Sequence, residues 1–240
     1  MKKILWIGLI GGFLIVLGLY GYDRIFASVI GKEHTIERDN AKALHVDLDF
    51  GAGELLVSGG SDEWMNGKFL HNSSKHAPQI SYKEKRGTGF LDIKQRSRVT
   101  FGFTKRKFEN DWNIQLTDKI PLDLDIDMGV SDTTLDLKGL QLNKLTIDSG
   151  VSDSTIDLSG DWKESFPANI DIGVGDSTLL LPKQTGVRLS ISRGIANVDL
   201  KDFISKGNGI YVNEAFDKAD VIIDITMNIG IGDVEVKLVD

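Results

Sequence analysis

The sequence predicts an all-β protein built as a solenoid-like stack of strand–corner–strand units, and three observations lead there. A tetrapeptide of Gly, an aliphatic residue, a tiny residue and Asp keeps returning: Gly129-Val130-Ser131-Asp132, Gly150-Val151-Ser152-Asp153 and Gly173-Val174-Gly175-Asp176. Looser copies begin at Gly51, Gly194 and Gly230, and the four central copies are spaced 21, 23 and 21 residues apart. Such a period marks repeated units, each too small to bury its own apolar face. The apolar positions also change parity at the motif, from Ile126 before it to Leu135 and Leu137 after it. A continuous strand would then put its second half on the wrong face, so a bulge or corner belongs there. Finally, the corners lack the Asn-Gly or Asp-Gly pairs of tight hairpins, which favours coils over the alternative, an antiparallel meander or sandwich.

Residues 1–25 read as a cytoplasmic tip and a transmembrane helix. Ile4 to Tyr22 is nineteen residues without a charge, about 28 Å as a helix and close to the hydrocarbon thickness of a bilayer. Lys2 and Lys3 precede it, whereas Asp23 and Arg24 cancel after it, which predicts a cytoplasmic N-terminus and an extracytoplasmic remainder. A cleaved signal peptide is the alternative, although its apolar core would be long.

Residues 26–40 read as a tether and 41–119 as an N-terminal β region. Leu44, Val46, Leu48 and Phe50 alternate with His45, Asp47 and Asp49, the period of a strand with one wet face. Within this region, 83–107 holds nine Lys/Arg against Glu84 and Asp92, an excess of +7, so the rest carries -14 of the net -7. Lys94, Arg96 and Arg98 fall on one strand face, and Lys105, Arg106 and Lys107 extend them. A solvated outer face and a surface for anionic headgroups, an anionic envelope polymer or an acidic partner both fit these cations. The overall acidity argues against nucleic acid as a partner.

Residues 120–240 form the repeat region. In every copy the residue three before the motif glycine is apolar (Leu48, Ile126, Ile147, Ile170, Ile191, Met227), and the residue after it is aliphatic. Gly51, Gly129, Gly150, Gly173, Gly194 and Gly230 are therefore expected to mark corners through backbone freedom. The aliphatic neighbour is expected in the core, and Asp132, Asp153, Asp176 and Asp233 are expected to close their own turns. A final insertion separates the last two copies by 36 residues, and the strand from Val221 to Ile231 is expected to close the stack.

Chemistry leaves few marks. No cysteine is present, so disulfides, thiolate metal sites and thiol catalysis are excluded. The stacked motif aspartates fit Ca²⁺ or a purely structural ladder, and their repetition at every corner favours structure. All four histidines precede residue 80, and His71 and His76 flank an expected surface loop. The acids alternate evenly without a His or Arg cluster, unlike the paired carboxylates of polysaccharide-cleaving β-helices. Gly129-Val130-Ser131-Asp132 lacks the second glycine of a nucleophile elbow, and no loop has phosphate-cradle spacing. The expectation is a non-enzyme without cofactor.

Phe166-Pro167-Ala168-Asn169-Ile170-Asp171-Ile172-Gly173-Val174-Gly175-Asp176 with Leu179 to Pro182, and Tyr211 to Asp220 leading into Ile229 to Val236, resemble the toast-rack and LiaF-like bacterial envelope proteins. The likeness covers roughly 122–240. It implies a membrane-anchored, non-catalytic protein of the cell envelope, linked to envelope-stress responses and in the LiaF group to restraint of a sensor kinase. The rival expectation is a structural or adhesive solenoid that self-associates through its coil ends.

Overall fold

The computed structural model describes residues 30–72, 76–95 and 109–240. Its strands are β1 (Ile30–Ile36), β2 (Ala43–Ser61), β3 (Met65–His71), β4 (Pro78–Lys85), β5 (Thr88–Gln95), β6 (Asn110–Thr117) and β7 (Leu122–Asp136). They continue as β8 (Leu142–Asp157), β9 (Phe166–Val174), β10 (Ser177–Pro182), β11 (Gly186–Leu200), β12 (Ile204–Gly207), β13 (Ile210–Val212) and β14 (Ile222–Val239). The expected transmembrane helix lies outside the described residues. Among those described, no helix is long and apolar enough to cross a membrane.

Parallel, in-register pairing dominates the centre. β2 pairs with β7 from Leu44↔Leu122 to Ser58↔Asp136, and β7 pairs with β8 from Leu122↔Leu142 to Asp136↔Asp157. β9 and β10 are one motif copy broken between Val174 and Ser177, and they continue the stack on β8. β5 and β6 together form a further rung, β5 beside the first leg of β2 and β6 beside its second. This register excludes the antiparallel meander for the centre. Antiparallel pairs occur at the ends, as β4–β5, β1–β3–β6 and β11–β13–β12.

The rung order departs from the chain order. β14 does not close the stack; it lies between β9/β10 and β11, parallel to both. The motif copies thus run Gly51, Gly129, Gly150, Gly173, Gly230, Gly194. The physical reason is the long last insertion. After β11 the chain makes the β12–β13 hairpin, whose strand β13 pairs with the outer side of β11 at Arg188–Ser190, and only then returns to fill the gap.

Each long strand buries alternate residues, and the burial changes parity at the corner. In β7, Leu122, Leu124, Ile126 and Met128 point inward on the first leg, and Ser131, Thr133 and Leu135 do so on the second. Inward residues of both legs join one apolar cluster, so every rung stabilises its neighbours by burying their shared face. Connections close the rungs: Leu140 is buried between β7 and β8, and Trp162 packs on Phe166 with ring centroids 4.6 Å apart. At the other end, Trp112 meets Phe50 and Phe69 edge-on at 5.0 and 5.4 Å.

Candidate functional site: an aliphatic ridge between two acidic rows

The corner needs its glycines for two different reasons. A Cβ on Gly129 would stand 2.3 Å from the carbonyl oxygen of Gly51, and one on Gly173 would stand 2.4 Å from that of Gly150. The first motif glycine therefore allows one rung's backbone to lie on the next. The φ freedom expected there belongs instead to the third position, where Gly53, Gly175 and Gly232 have φ of 129°, 138° and 146°.

Two consecutive residues point outward at five of the six corners, and this moves the aliphatic neighbour out of the core. Val130, Val151, Val174, Ile231 and Ile195 are 41%, 48%, 42%, 51% and 81% exposed, contrary to the expected core role; only Ala52 is buried. The bulge uses an extra outward position, so the next inward residue is Ser131 rather than Val130. In register, Ala52, Val130, Val151, Val174, Ile231 and Ile195 form one ridge across six rungs. At about 4.8 Å per rung the ridge is roughly 24 Å long.

An acidic row flanks each side of this ridge. On the far side stand Glu54, Asp132, Asp153, Asp176 and Asp233, with Asn197 in the last rung. Here the carboxylates join rungs: Asp153 Oδ1 accepts the Asp176 N–H at 3.1 Å, and Asp176 Oδ1 accepts the Asp233 N–H at 3.0 Å. Asp153 and Asp176 thus bond the neighbouring rung and not their own turn. Beneath them Ser131 and Ser152 are buried, with their hydroxyls 3.3 Å apart.

On the near side stand Asp49, Asp127, Asp148 and Asp171, followed by Asn228 and Ser192. Asn228 Nδ2 donates to Asp171 at 2.5 Å. Burial, then the neighbouring Asp49, Asp47 and Asp125, raises the Asp127 carboxyl above the usual aspartate range. Burial, then Asp171 and Asp127, does the same to Asp148. Between this row and the ridge the glycines leave a groove of about 890 Å³, which runs from Asp49 and Ala52 to Ser192 and Arg193. A second hollow of about 370 Å³ lies across the ridge, beside Asp132 and Asp153.

The groove's end is capped from β5 and β6. Gln95 Oε1 accepts the Gly51 N–H at 2.8 Å, and Asn110 Nδ2 donates to the Ala52 carbonyl at 2.6 Å. Lys94 pairs in register with Asp49, and its ammonium bonds Asp47 at 3.0 Å and Asp92 at 3.6 Å. The bond to Asp47 raises the Lys94 pKa. Lys94 therefore lies within the acidic face. Arg96, Arg98, Lys105, Arg106 and Lys107 lie outside the described residues. His71 ends β3 and is buried. Among the described residues, no group of three or more His, Cys, Asp or Glu is placed to hold a metal ion.

The model of the N-terminal domain of toast_rack (DUF2154) matches residues 25–180, well over half of the chain. The chain belongs to the toast_rack family. The match begins far upstream of the 122–240 resemblance and takes in the whole N-terminal β region. A crystal structure of a candidate cell adhesion protein from Clostridium sporogenes superposes with a TM-score of 0.85 at 30% identity, covering 88% of this chain and 100% of that one. A candidate adhesin from Bacteroides fragilis is 15% identical and covers 88% of this chain and 97% of its own, but its TM-score of 0.31 supports no argument. No curated protein matches. For this toast_rack chain, the near acidic row is the feature that motif reading misses. Its signal was present, since the residue two before the motif glycine is Asp in four of the six copies.

Proposed function

We propose that this protein is a single-pass, membrane-anchored contact module of the bacterial cell envelope, with its β stack outside the cytoplasm and no catalytic role. The carrying observation is the aliphatic ridge, exposed over five consecutive rungs, beside a groove whose other wall is acidic over four. Exposed apolar rows rimmed by polar residues mark interaction surfaces. The apolar stretch from Ile4 to Tyr22 supports the anchor. The likeness to the Clostridium protein supports a role in contact. On this reading the module serves envelope-stress signalling by engaging a membrane sensor kinase, and the cations of the 83–107 sequence attract anionic envelope polymer or lipid.

The absence of cysteine gives a clean test of topology. Asp161→Cys places a thiol at a side chain that is 87% exposed. A membrane-impermeant maleimide should label it in intact cells, and labelling only after lysis would overturn the extracytoplasmic placement. Co-purification of a sensor kinase from detergent-solubilised membranes tests the signalling role.

Self-association is the second reading, and one observation favours it. Among the described residues the second leg of β11, Ile195–Leu200, has a strand neighbour only in β14. Such an edge accepts a further strand. Concentration-dependent sedimentation checks it.

A further inference from the structure

We infer that the near groove is the seat for an extended, basic and aliphatic polypeptide segment of a partner protein, an inference that rests on the contact-module reading and specifies its chemistry. The two acidic rows differ in a way that isolates this groove. The far row is explained by the fold, because Asp153 and Asp176 each accept a backbone N–H from the adjoining rung. The near row makes no such bond among the described residues, and its members oppose one another in register, Asp49 to Asp127, Asp127 to Asp148 and Asp148 to Asp171. Like charges directly opposite on neighbouring strands are destabilising. A row kept at that cost, in which only Asp171 bonds a neighbouring rung through the Asn228 side chain, points to something cationic outside the chain.

The adjoining cations offset the row only at its Asp49–Asp127 end, where Lys94 acts to lower the Asp127 pKa. Lys94 is engaged by Asp47 and Asp92 at one end, and Arg193 lies at the other beyond Asn228 and Ser192. The opposite rim is aliphatic, with Val130 in the groove and Val151 and Val174 continuing it in register. An occupant must therefore present cations over the four acidic rungs, roughly 14 Å, and apolar groups over the five exposed aliphatic rungs, roughly 19 Å. About six residues of extended chain span the longer of these. A polypeptide with Lys or Arg on one side and Val, Ile or Leu on the other meets both walls, whereas a polyamine meets only one.

The test uses the full chain in non-ionic detergent and three synthetic octapeptides: alternating Lys-Val, alternating Lys-Ser and alternating Glu-Val. Lys-Val should bind, Lys-Ser should bind several-fold more weakly, and Glu-Val should not bind. Asp127→Asn with Asp148→Asn should weaken Lys-Val binding about tenfold and flatten its salt dependence. Val151→Ser with Val174→Ser should bring Lys-Val down to the level of Lys-Ser. Thermal melts of each variant distinguish lost binding from lost folding. Equal affinity for Lys-Val before and after removal of the two carboxylates would overturn the assignment, as would binding of Glu-Val. A zero-length carbodiimide cross-link between Asp148 and Lys105 or Lys107 in the peptide-free protein would also overturn it, by making residues 96–108 of this chain the occupant. Labelling of Asp161→Cys in intact cells together with failure of all three peptides would leave the contact module standing and remove only this groove.

Discussion

Asp148 and Asp153 lie on the same strand, five positions apart, and both face outward beside the same valine. Their surroundings give them different roles. Asp153 reaches the next rung and accepts a backbone N–H, so its negative charge meets a donor. Asp148 meets other carboxylates, and burial beside them raises its pKa. One acid is part of how the stack is joined; the other costs the stack stability. Hydrogen bonds to neighbouring rungs therefore separate the scaffold acids of the repeat from those of the groove.

The largest effect is expected at the corner that supports both rows. Gly175→Ala would force a Cβ to within 2.0 Å of the Ser152 carbonyl oxygen at a φ of 138°. It should cost about 3 kcal/mol or more, read as a large fall in the urea midpoint. Next in size, Asp153→Ala should cost about 1 kcal/mol through loss of the bond to the Asp176 N–H. Asp148→Asn should instead be neutral or stabilise by about 0.5 kcal/mol, because it removes repulsion across rungs. Equal losses from these two substitutions, measured by the same denaturation curves, would erase the distinction between the rows.

The pH dependence sharpens the same contrast. The folded pKa values of Asp127 and Asp148 are raised, so the folded state holds their protons more tightly than the unfolded chain. Their penalty is fully present above the raised pKa and is relieved as pH falls through it towards the ordinary aspartate range. The melting-temperature advantage of the Asp127→Asn, Asp148→Asn variant should therefore be largest at neutral pH and shrink on acidification. The smallest effect is expected from Val151→Ser, where the half-exposed side chain should change stability by less than about 0.5 kcal/mol. A large loss there would make the ridge a packing element and not a surface.

Much of the corner was legible because side-chain alternation is a local property. The apolar positions Ile126 and Leu135 cannot share one face of a straight strand, and the structure bends between Met128 and Ser131 as that parity requires. The fate of Val130 was not legible. A bulge places one extra residue outside, and the parity switch fits a valine on either side of it. The first motif glycine was equally ambiguous. Its reason is the carbonyl of a rung 21 to 78 residues away in sequence, for example Gly129 beneath Gly150 and Gly51 beneath Gly129. The near acidic row was written at a fixed place before each glycine, yet its meaning depended on which carboxylates meet in register.

By itself the sequence determined the unit: a strand with one wet face, a corner at each glycine motif, and a second strand of opposite parity. Those features follow from alternation and local backbone sterics, which act over a few residues. Only the tertiary structure decided the order in which the units stack. The copies share one motif, so the repeat alone does not place β14 between β9/β10 and β11, where it lies. That choice, made by packing between distant segments, sets which side chains stand next to one another along the ridge and its two acidic rows.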